Sequence, residues 1–406
     1  MRVLMVGLNV GYLDLLDRRP DIELLVVEEP SIAASVEALT DPRIAEVRTA
    51  AYQQVDEYAD VVRAWHAESP VDVIVPGMEY AVVGAAALGD ELGLRSPGQH
   101  AARVLCDKLL LRGAAARLGI DQPRFAEVKS AVDVRDFISD VPVVVKPANR
   151  RASVGVIRID SVEEAAAAFE ESVRADEGYR TAPREFSWRY MVEQYVGGTE
   201  VSVESLWSGG RPVFENVTLK ATVGGRYFTE IGHVVPAPLD AVDEDAVLAA
   251  NRRLLAGVSV RDGVFHSEWK LEDGRVHLIE CAARPPGDLI PQLIERAYGF
   301  NLYEALLETL AGRPVELPSR ATRSAGVRFF RPPAGRVAAI RGSHVLDEDP
   351  RVFDHFIRLE PGDEVDTFEN SWHRVGYFAV DAADHDELDA AMEGISRSVV
   401  FEVDPA

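Results

Sequence analysis

Cysteine is almost missing from this chain. The two present, Cys106 and Cys281, stand far apart in apolar settings without CxxC spacing. That excludes a disulfide framework and a cysteine-rich metal site, and fits reduced core residues of a cytoplasmic protein. Long apolar runs are missing too, none approaching the ~20 residues of a membrane-spanning helix. The opening MRVLMVGLNVGYLDLL lacks the basic, apolar and small-residue order of a secretion signal, and its VLMVG reads as a first strand. Positive charge is short: 43 Lys and Arg face 67 Asp and Glu, a net charge of −24. Neither nucleic acid nor an anionic membrane is therefore an expected partner. A nucleotide is not excluded, since it needs only a few local cations. The chain has no internal repeat, no GxxxxGK[ST] loop and no evident Ser–His–Asp or Cys–His set.

What is present is an ordinary globular composition, 47% hydrophobic and 27% charged over 406 residues, enough for two to four compact units. Up to about residue 100, strand-like and helix-like segments alternate (VLMVG, IELLVVEE and VDVIVPG, with helical stretches between). This predicts parallel strands with crossover helices. Gly7 and Gly11 in GLNVG, with Glu28 at a ribose-like distance, do not complete GxGxxG, so a tight strand-to-helix turn is the preferred reading. Glu79, at the carboxyl end of VDVIVPG, either faces a ligand or caps a helix. Strands follow at VPVVVKPA, GVIRID, YMVEQYV, EVSVESLW and PVFENVTLK. GGRYFTEIGHVVPAPL reads as a loop, Asp243 to Leu255 as a helix, and Ile290 to Leu310 as one helix. From about Arg320 the pattern is antiparallel (GVRFFRP, GRVAAIRG, FDHFIRLE, HRVGYFAVDA), closed by a helix over Asp386 to Ile395.

The richest stretch runs from His266 to Asp288, HSEWKLEDGRVHLIECAARPPGD. It reads as a hairpin with Glu268 on one strand and Glu280 on the other. A two-residue Asp273-Gly274 turn would send these acids to opposite faces. A three-residue loop, Glu272 to Gly274, would put His266, Glu268 and Glu280 on one face. Two carboxylates side by side repel unless a cation lies between them, and hard oxygen ligands suit Mg²⁺, which usually arrives with phosphates.

Other residues join this pair. Lys108 heads a helical stretch, with Arg112 one turn on. Lys146 emerges from the apolar strand VPVVVK, and ANRRASVGV after it holds Ser153 and Gly155, where backbone amides with Arg150 and Arg151 could cradle phosphates. MVEQYVGGTEVSVE offers Glu193 and Val196 at a strand-to-turn junction and Glu200 leading the next strand. His233, in EIGHVVP, is the best placed candidate for an active-site histidine.

This ordered series resembles the ATP-grasp carboxylate–amine ligases from about Met1 to Pro314. The residues carrying it are RVLCDKLLLRGAAARLGI, PVVVKPANRRASVGV, MVEQYVGGTEVSVE and HSEWKL…LIECAARPPGD. YFTEIGHVVPAPL and AARPPGDLIPQLIERAYGFNLYEALL look most like the L-amino-acid ligases that make dipeptides. The resemblance implies an ATP-grasp fold of mixed α/β and α+β type. Its parts would be a Rossmann-like pre-ATP-grasp domain over 1–100, a small subdomain over 101–192, a large metal-bearing subdomain over 193–319 and a C-terminal β-rich section over 320–406. It implies ATP with Mg²⁺ or Mn²⁺, and small-molecule carboxylate and amine substrates; the oligomeric state is open, with a homodimer as the candidate. Lys108, Lys146, Ser153 and Gly155 would hold the phosphates, Glu193 and Val196 the adenine, and Glu200 the ribose. Glu268 and Glu280 would bind metal, and Arg284 would neutralise the transferring phosphoryl group or the acyl phosphate. Arg284, Glu79 and Arg328, with Arg331, are the candidates for holding substrate. Where many relatives carry asparagine two residues past the second metal acid, this chain has Ala282, which puts a second metal's coordination in doubt. A nucleotide-precursor or carboxylating ATP-grasp enzyme, without a biotin-attachment AMKM, is one alternative. A non-catalytic ATP-binding protein is the other.

Overall fold

A computed structural model describes residues 1–178, 181–222, 224–366, 368 and 370–404. The amino-terminal part has strands β1 (Arg2–Val6), β2 (Glu23–Glu28), β3 (Ile44–Thr49) and β4 (Val73–Pro76) in a parallel sheet of order β3-β2-β1-β4. The inner strands are nearly all Val, Leu and Ile because helices cover both faces. β3 was not foreseen: its charges, exposed Glu46 and half-buried Arg48, suit a sheet edge and hide the strand pattern. Glu28 does not await a ribose. It is buried, and its carboxylate accepts from Leu8 N, Glu29 N and the Tyr52 hydroxyl, so it seals the glycine turn from beneath.

A four-stranded antiparallel sheet follows: β5 (Phe125–Val128), β6 (Val143–Pro147), β7 (Ile157–Ile159) and β8 (Tyr190–Gln194), in order β5-β8-β6-β7. Beyond it come β9 (Thr199–Ser208), β10 (Arg211–Thr222), β11 (Glu230–Val235), β12 (Gly263–Glu272), β13 (Arg275–Ala282), β14 (Ser324–Phe329), β15 (Gly335–Arg341), β16 (Val352–Ile357), β17 (Glu364–Val365), β18 (Gly376–Ala382) and β19 (Val400–Asp404). Eight of these form one sheet of order β13-β12-β9-β10-β11-β14-β18-β16, which continues across residue 319, and β17-β15-β19 form a small third antiparallel sheet. Among the described residues no helix is long and apolar enough to cross a membrane.

Three expectations change. The stretch read as a loop contains β11, a central strand. Its glycine is required by close packing, since a Cβ on Gly232 would stand 2.6 Å from the Val327 carbonyl oxygen. The segment Ile290 to Leu310 is two helices, Ile290–Tyr298 and Leu302–Leu310. Gly299 turns left-handed between them (φ 82°), and the Asn301 side chain accepts from Glu304 N to start the second. The last helix, His385–Ser398, is followed by β19.

The large sheet explains where chemistry can occur. On β9, Val201, Val203 and Trp207 enter a core under the helices Gln99–Cys106, Lys108–Leu118 and Ala241–Gly257. The alternate residues Glu200, Ser202 and Glu204 point the other way. That second face is apolar where Leu206, Phe214 and Val264, and further along Val235, Ala325, Val327 and Ala379, meet the amino-terminal sheet and the helices after Ile290. Elsewhere it is a polar floor.

Candidate active site

The polar floor opens into two adjoining cavities. The first lies between the two antiparallel sheets and is lined by Lys108, Lys146, Val196, Glu200, Ile279 and Glu280, among others. The second lies between the large sheet, the amino-terminal part and the segment around Trp372, and takes in Glu79, His233, Arg284, Asp288 and Arg374. Arg151, Ser153, Glu230, Glu268 and Glu280 line both.

At the boundary, Glu268 on β12 stands opposite Glu280 on β13. The turn is the two-residue one, with Glu272 paired to Arg275 and Asp273 and Gly274 at φ 51° and 71°. By itself it would separate the acids. A β-bulge between Trp269 and Glu268 restores them: Trp269 pairs with Leu278, Glu268 pairs with Glu280, and Ile279 is the extra residue. Neither acid is alone. The Glu268 carboxylate takes the Lys220 ammonium and has His266 Nε2 at 3.3 Å, while Lys108 Nζ lies 3.1 Å from Glu280. Burial pushes the Glu268 carboxyl up, but Lys220 and His266 outweigh it and hold it well below the usual range. Burial pulls His266 down, yet its bonds to Glu204 and Glu268 raise it to about 9. His266 itself pairs across the strands with Ala282.

The first cavity has a cationic wall whose charges are already matched. Lys146 contacts Glu193, and Arg112, fully enclosed, donates to Glu193 at 2.9 Å and to the Ile279 carbonyl at 2.9 Å. Burial raises the Glu193 carboxyl, but Arg112 and Lys146 more than offset that and keep it low. Burial also lowers the Lys146 ammonium, with Glu193 opposing. Glu193 therefore spends its carboxylate on two cations instead of offering it to an adenine edge, and the backbone of Gln194 to Val196 is the part of this junction left for a base. Glu200 lies 3.4 Å from both Lys220 Nζ and Lys270 Nζ.

The loop after β6 is not glycine-rich, yet Ala152, Ser153 and Gly155 all have φ between 56° and 74°. These turns are closed within the loop, Val154 N donating to the Arg151 carbonyl and Val156 N to the Ser153 carbonyl, both at 3.2 Å. Ser153 lines both cavities; Gly155 does not, and its carbonyl accepts from Ser172 Oγ at 2.6 Å. The arginines expected at phosphates are tied elsewhere. Arg150 donates to Glu177 at 3.3 Å and to the Ala175 carbonyl, and Arg151 donates to Glu177 at 3.1 Å.

In the second cavity Arg284 pairs with Glu79 and donates to the Pro285 carbonyl at 3.0 Å. Glu79 thus anchors an arginine instead of capping a helix. His233 is buried, with Nε2 3.4 Å from Asp288 and, among the described residues, no partner for Nδ1. Asp288 also accepts from Arg374 at 2.7 Å, and Arg374 reaches Glu230 at 2.7 Å while lying over the Phe329 ring. Burial raises the Asp288 carboxyl, but Arg374 and His233 drive it far below normal.

Arg328 is corrected: it lies outside both cavities and donates to Ser396 Oγ on the last helix at 3.0 Å, because on β14 it alternates with Phe329. Arg331 is exposed and lines neither cavity. Sequence reading missed Lys220, Glu230, Asp288 and Arg374. Lys220 lies inside β10 among polar residues, so it carried no strand-end signal of the kind Lys146 gives.

Known proteins share this fold and its domain order. Residues 139–292 match the ATP-grasp domain and residues 328–404 match the L-amino acid ligase C-terminal domain 2. The alanine–anticapsin ligase of Bacillus subtilis is 27% identical over 269 residues, covering 61% of this chain and 56% of that protein. D-alanine–D-alanine ligase B of Pseudomonas putida is 25% identical over 227 residues, 53% of this chain and 66% of that one. The match thus spans little more than half the length of the first of these relatives. The crystal structure of L-amino acid ligase from Bacillus licheniformis superposes with a TM-score of 0.82 at 18% identity, over 99% of this chain and 98% of that one. Phosphoribosylglycinamide synthetase from Anaerococcus prevotii gives 0.72 at 17%, with 99% of each covered. With the ATP-grasp fold and the two domain matches together, the chain carries an ATP-grasp domain followed by an L-amino acid ligase C-terminal domain.

Proposed function

We propose that this protein is an ATP-dependent carboxylate–amine ligase that joins two amino acids, or amino-acid-like substrates, through an acyl phosphate and releases ADP and phosphate. The observation that carries the reading is the shared wall. A cavity with three lysines and the Ser153 loop meets a cavity with paired acids and arginines at Glu268 and Glu280.

In this reading the nucleotide lies in the first cavity, with its base at Gln194 to Val196, its ribose at Glu200 and its phosphates between Lys108, Lys146 and the Ser153 loop. Glu268 and Glu280 suit a divalent ion as facing oxygen donors that Lys220 and Lys108 hold in its absence, and phosphate and water would supply the further ligands. When bound, that ion would neutralise phosphate charge. The substrate carboxylate enters from the second cavity and attacks the γ-phosphorus; ADP leaves, and Arg284 faces the acyl phosphate. The incoming amine then attacks the carbonyl carbon, the C–O bond to phosphate breaks, and His233, oriented by Asp288, is placed to accept the amine's proton. No side chain forms a bond to substrate, so the rate comes from placement and charge.

The second cavity also indicates the kind of amino acid. Asp288 and Glu230 suit an ammonium, Arg284 and Arg374 a carboxylate, and Leu8, Val10, Pro76 and Met78 of the amino-terminal part offer an apolar wall to an uncharged side chain. The test is ADP and phosphate release with ATP and Mg²⁺ against single and paired amino acids. Turnover only with a pair supports the ligase, and AMP as the product contradicts it.

A further inference from the structure

Glu204 is the most enclosed acid near the site, and the reaction above does not use it. It lies on β9 beneath His266 and is fully buried. Each of its oxygens has two partners. Ser202 Oγ donates at 2.7 Å to the oxygen that lies 2.9 Å from His266 Nδ1. Asn216 Nδ2 at 3.0 Å and Thr218 Oγ1 at 2.5 Å donate to the other. A carboxylate so saturated fixes whatever it holds, and the one mobile group it holds is the His266 ring. That ring's Nε2 reaches Glu268 Oε1, the same oxygen that receives Lys220. Among the described residues, nothing bonds Glu268 Oε2.

We propose that Glu204 and His266 are a positioning pair for Glu268. They hold one carboxylate oxygen so that the other is presented, as a single ligand atom, to the divalent ion accompanying the nucleotide phosphates. The inference rests on the metal reading of Glu268. It matters more here than in a site with many protein ligands, because Ala282 supplies no donor and the orientation of each remaining acid counts. Groups that orient a ligand in this way commonly contribute about 10–100-fold to metal affinity.

A merely structural His266 would serve only to neutralise Glu204, and two substitutions separate the roles. His266→Asn places an amide nitrogen near the Nδ1 position, keeping the bond to Glu204 but falling short of Glu268. His266→Gln reaches toward the Nε2 position, keeping the bond to Glu268 and giving up the one to Glu204. ADP binding to the full-length protein is measured by calorimetry in EDTA and in Mn²⁺, and the ratio of the two affinities is the readout. His266→Gln is expected to stay within about threefold of the parent ratio, and His266→Asn to lose about tenfold or more, with metal-free affinity unchanged in both. Should His266→Asn not fold, Glu204→Gln, of the same size, is expected to lower the ratio by at least about threefold. A parent-like ratio in His266→Asn, or in Glu204→Gln, overturns the proposal, as does His266→Gln falling as far as His266→Asn. If the parent protein itself binds ADP equally well with and without Mn²⁺, the metal reading fails and takes the pair with it.

Discussion

Glu268 and Glu280 face each other across β12 and β13 only because Ile279 is an extra residue in the ladder. A regular two-residue hairpin would have placed one of them in the core with Trp269. The bulge also turns Ile279 and Glu280, neighbours in sequence, toward the same ligand side, where both line the first cavity.

Glu280→Gln keeps the bulge and the size of the side chain but removes half of the acid pair. ADP formation is expected to fall by about 100-fold or more, as for removal of a metal ligand. The melting temperature without ligands should barely move, since Glu280 is a third exposed and the Lys108 ammonium keeps its bond to the Arg150 carbonyl. Parallel turnover assays and thermal melts check this, and normal turnover removes the metal assignment.

Ile279→Ala separates the two residues of the bulge. It trims a wall of the first cavity without touching an acid, so ADP affinity is expected to weaken about fivefold, roughly 1 kcal/mol. The ratio of affinities with and without Mn²⁺ should be unchanged, which calorimetry reports.

Glu193→Gln tests the buried charge cluster. Arg112 and Lys146 would share an amide where each now has a carboxylate, and breaking such a buried arrangement costs about 3 kcal/mol. A melting temperature lower by several degrees is expected even without nucleotide. An unchanged melt would mean the cluster is wetter than its burial indicates.

Arg374→Ala removes the cation common to Asp288 and Glu230. The KM for the amino-acid substrates is expected to rise at least about tenfold while ADP affinity holds, because Arg374 lies outside the first cavity. A pH effect follows as well. Asp288 is held below its unfolded pKa, so its contribution to stability is present above that value and lost as pH falls. The stability gap between parent and variant should therefore be widest near neutral pH and narrow as pH drops through about 4 and below.

Arg328→Ala is the contrasting case. Its guanidinium reaches Ser396 and no cavity, so KM values should match the parent protein. A large rise in KM would return Arg328 to the substrate site.

The strand-end lysine Lys146 and Glu200 at the head of β9 could be named from residues alone, because a charge beside an apolar run is a local signal, and both line the first cavity. The metal acids were named from sequence, but the reason they meet was not. The choice offered was between turn lengths, whereas the answer was a short turn with a bulge, and a bulge leaves no local signature in a run such as VHLIE. The substrate half was harder. β11 carries Gly232 and ends before Pro236, so a central strand resembled a loop. Arg374 lies 86 residues beyond Asp288 in the chain and meets it only through the fold. Arg328 was misplaced for a simpler reason: an arginine on a strand has two faces to choose from, and the burial of Phe329 decides which.

The most direct measurement is to follow oxygen. An amino acid labelled with ¹⁸O in its carboxylate is turned over with ATP and an acceptor amino acid, and the phosphate released is weighed by mass spectrometry. Transfer through an acyl phosphate moves one ¹⁸O from the carboxylate to inorganic phosphate, and that is the result the account predicts. Label in AMP, or unlabelled phosphate accompanying amide formation, would contradict it.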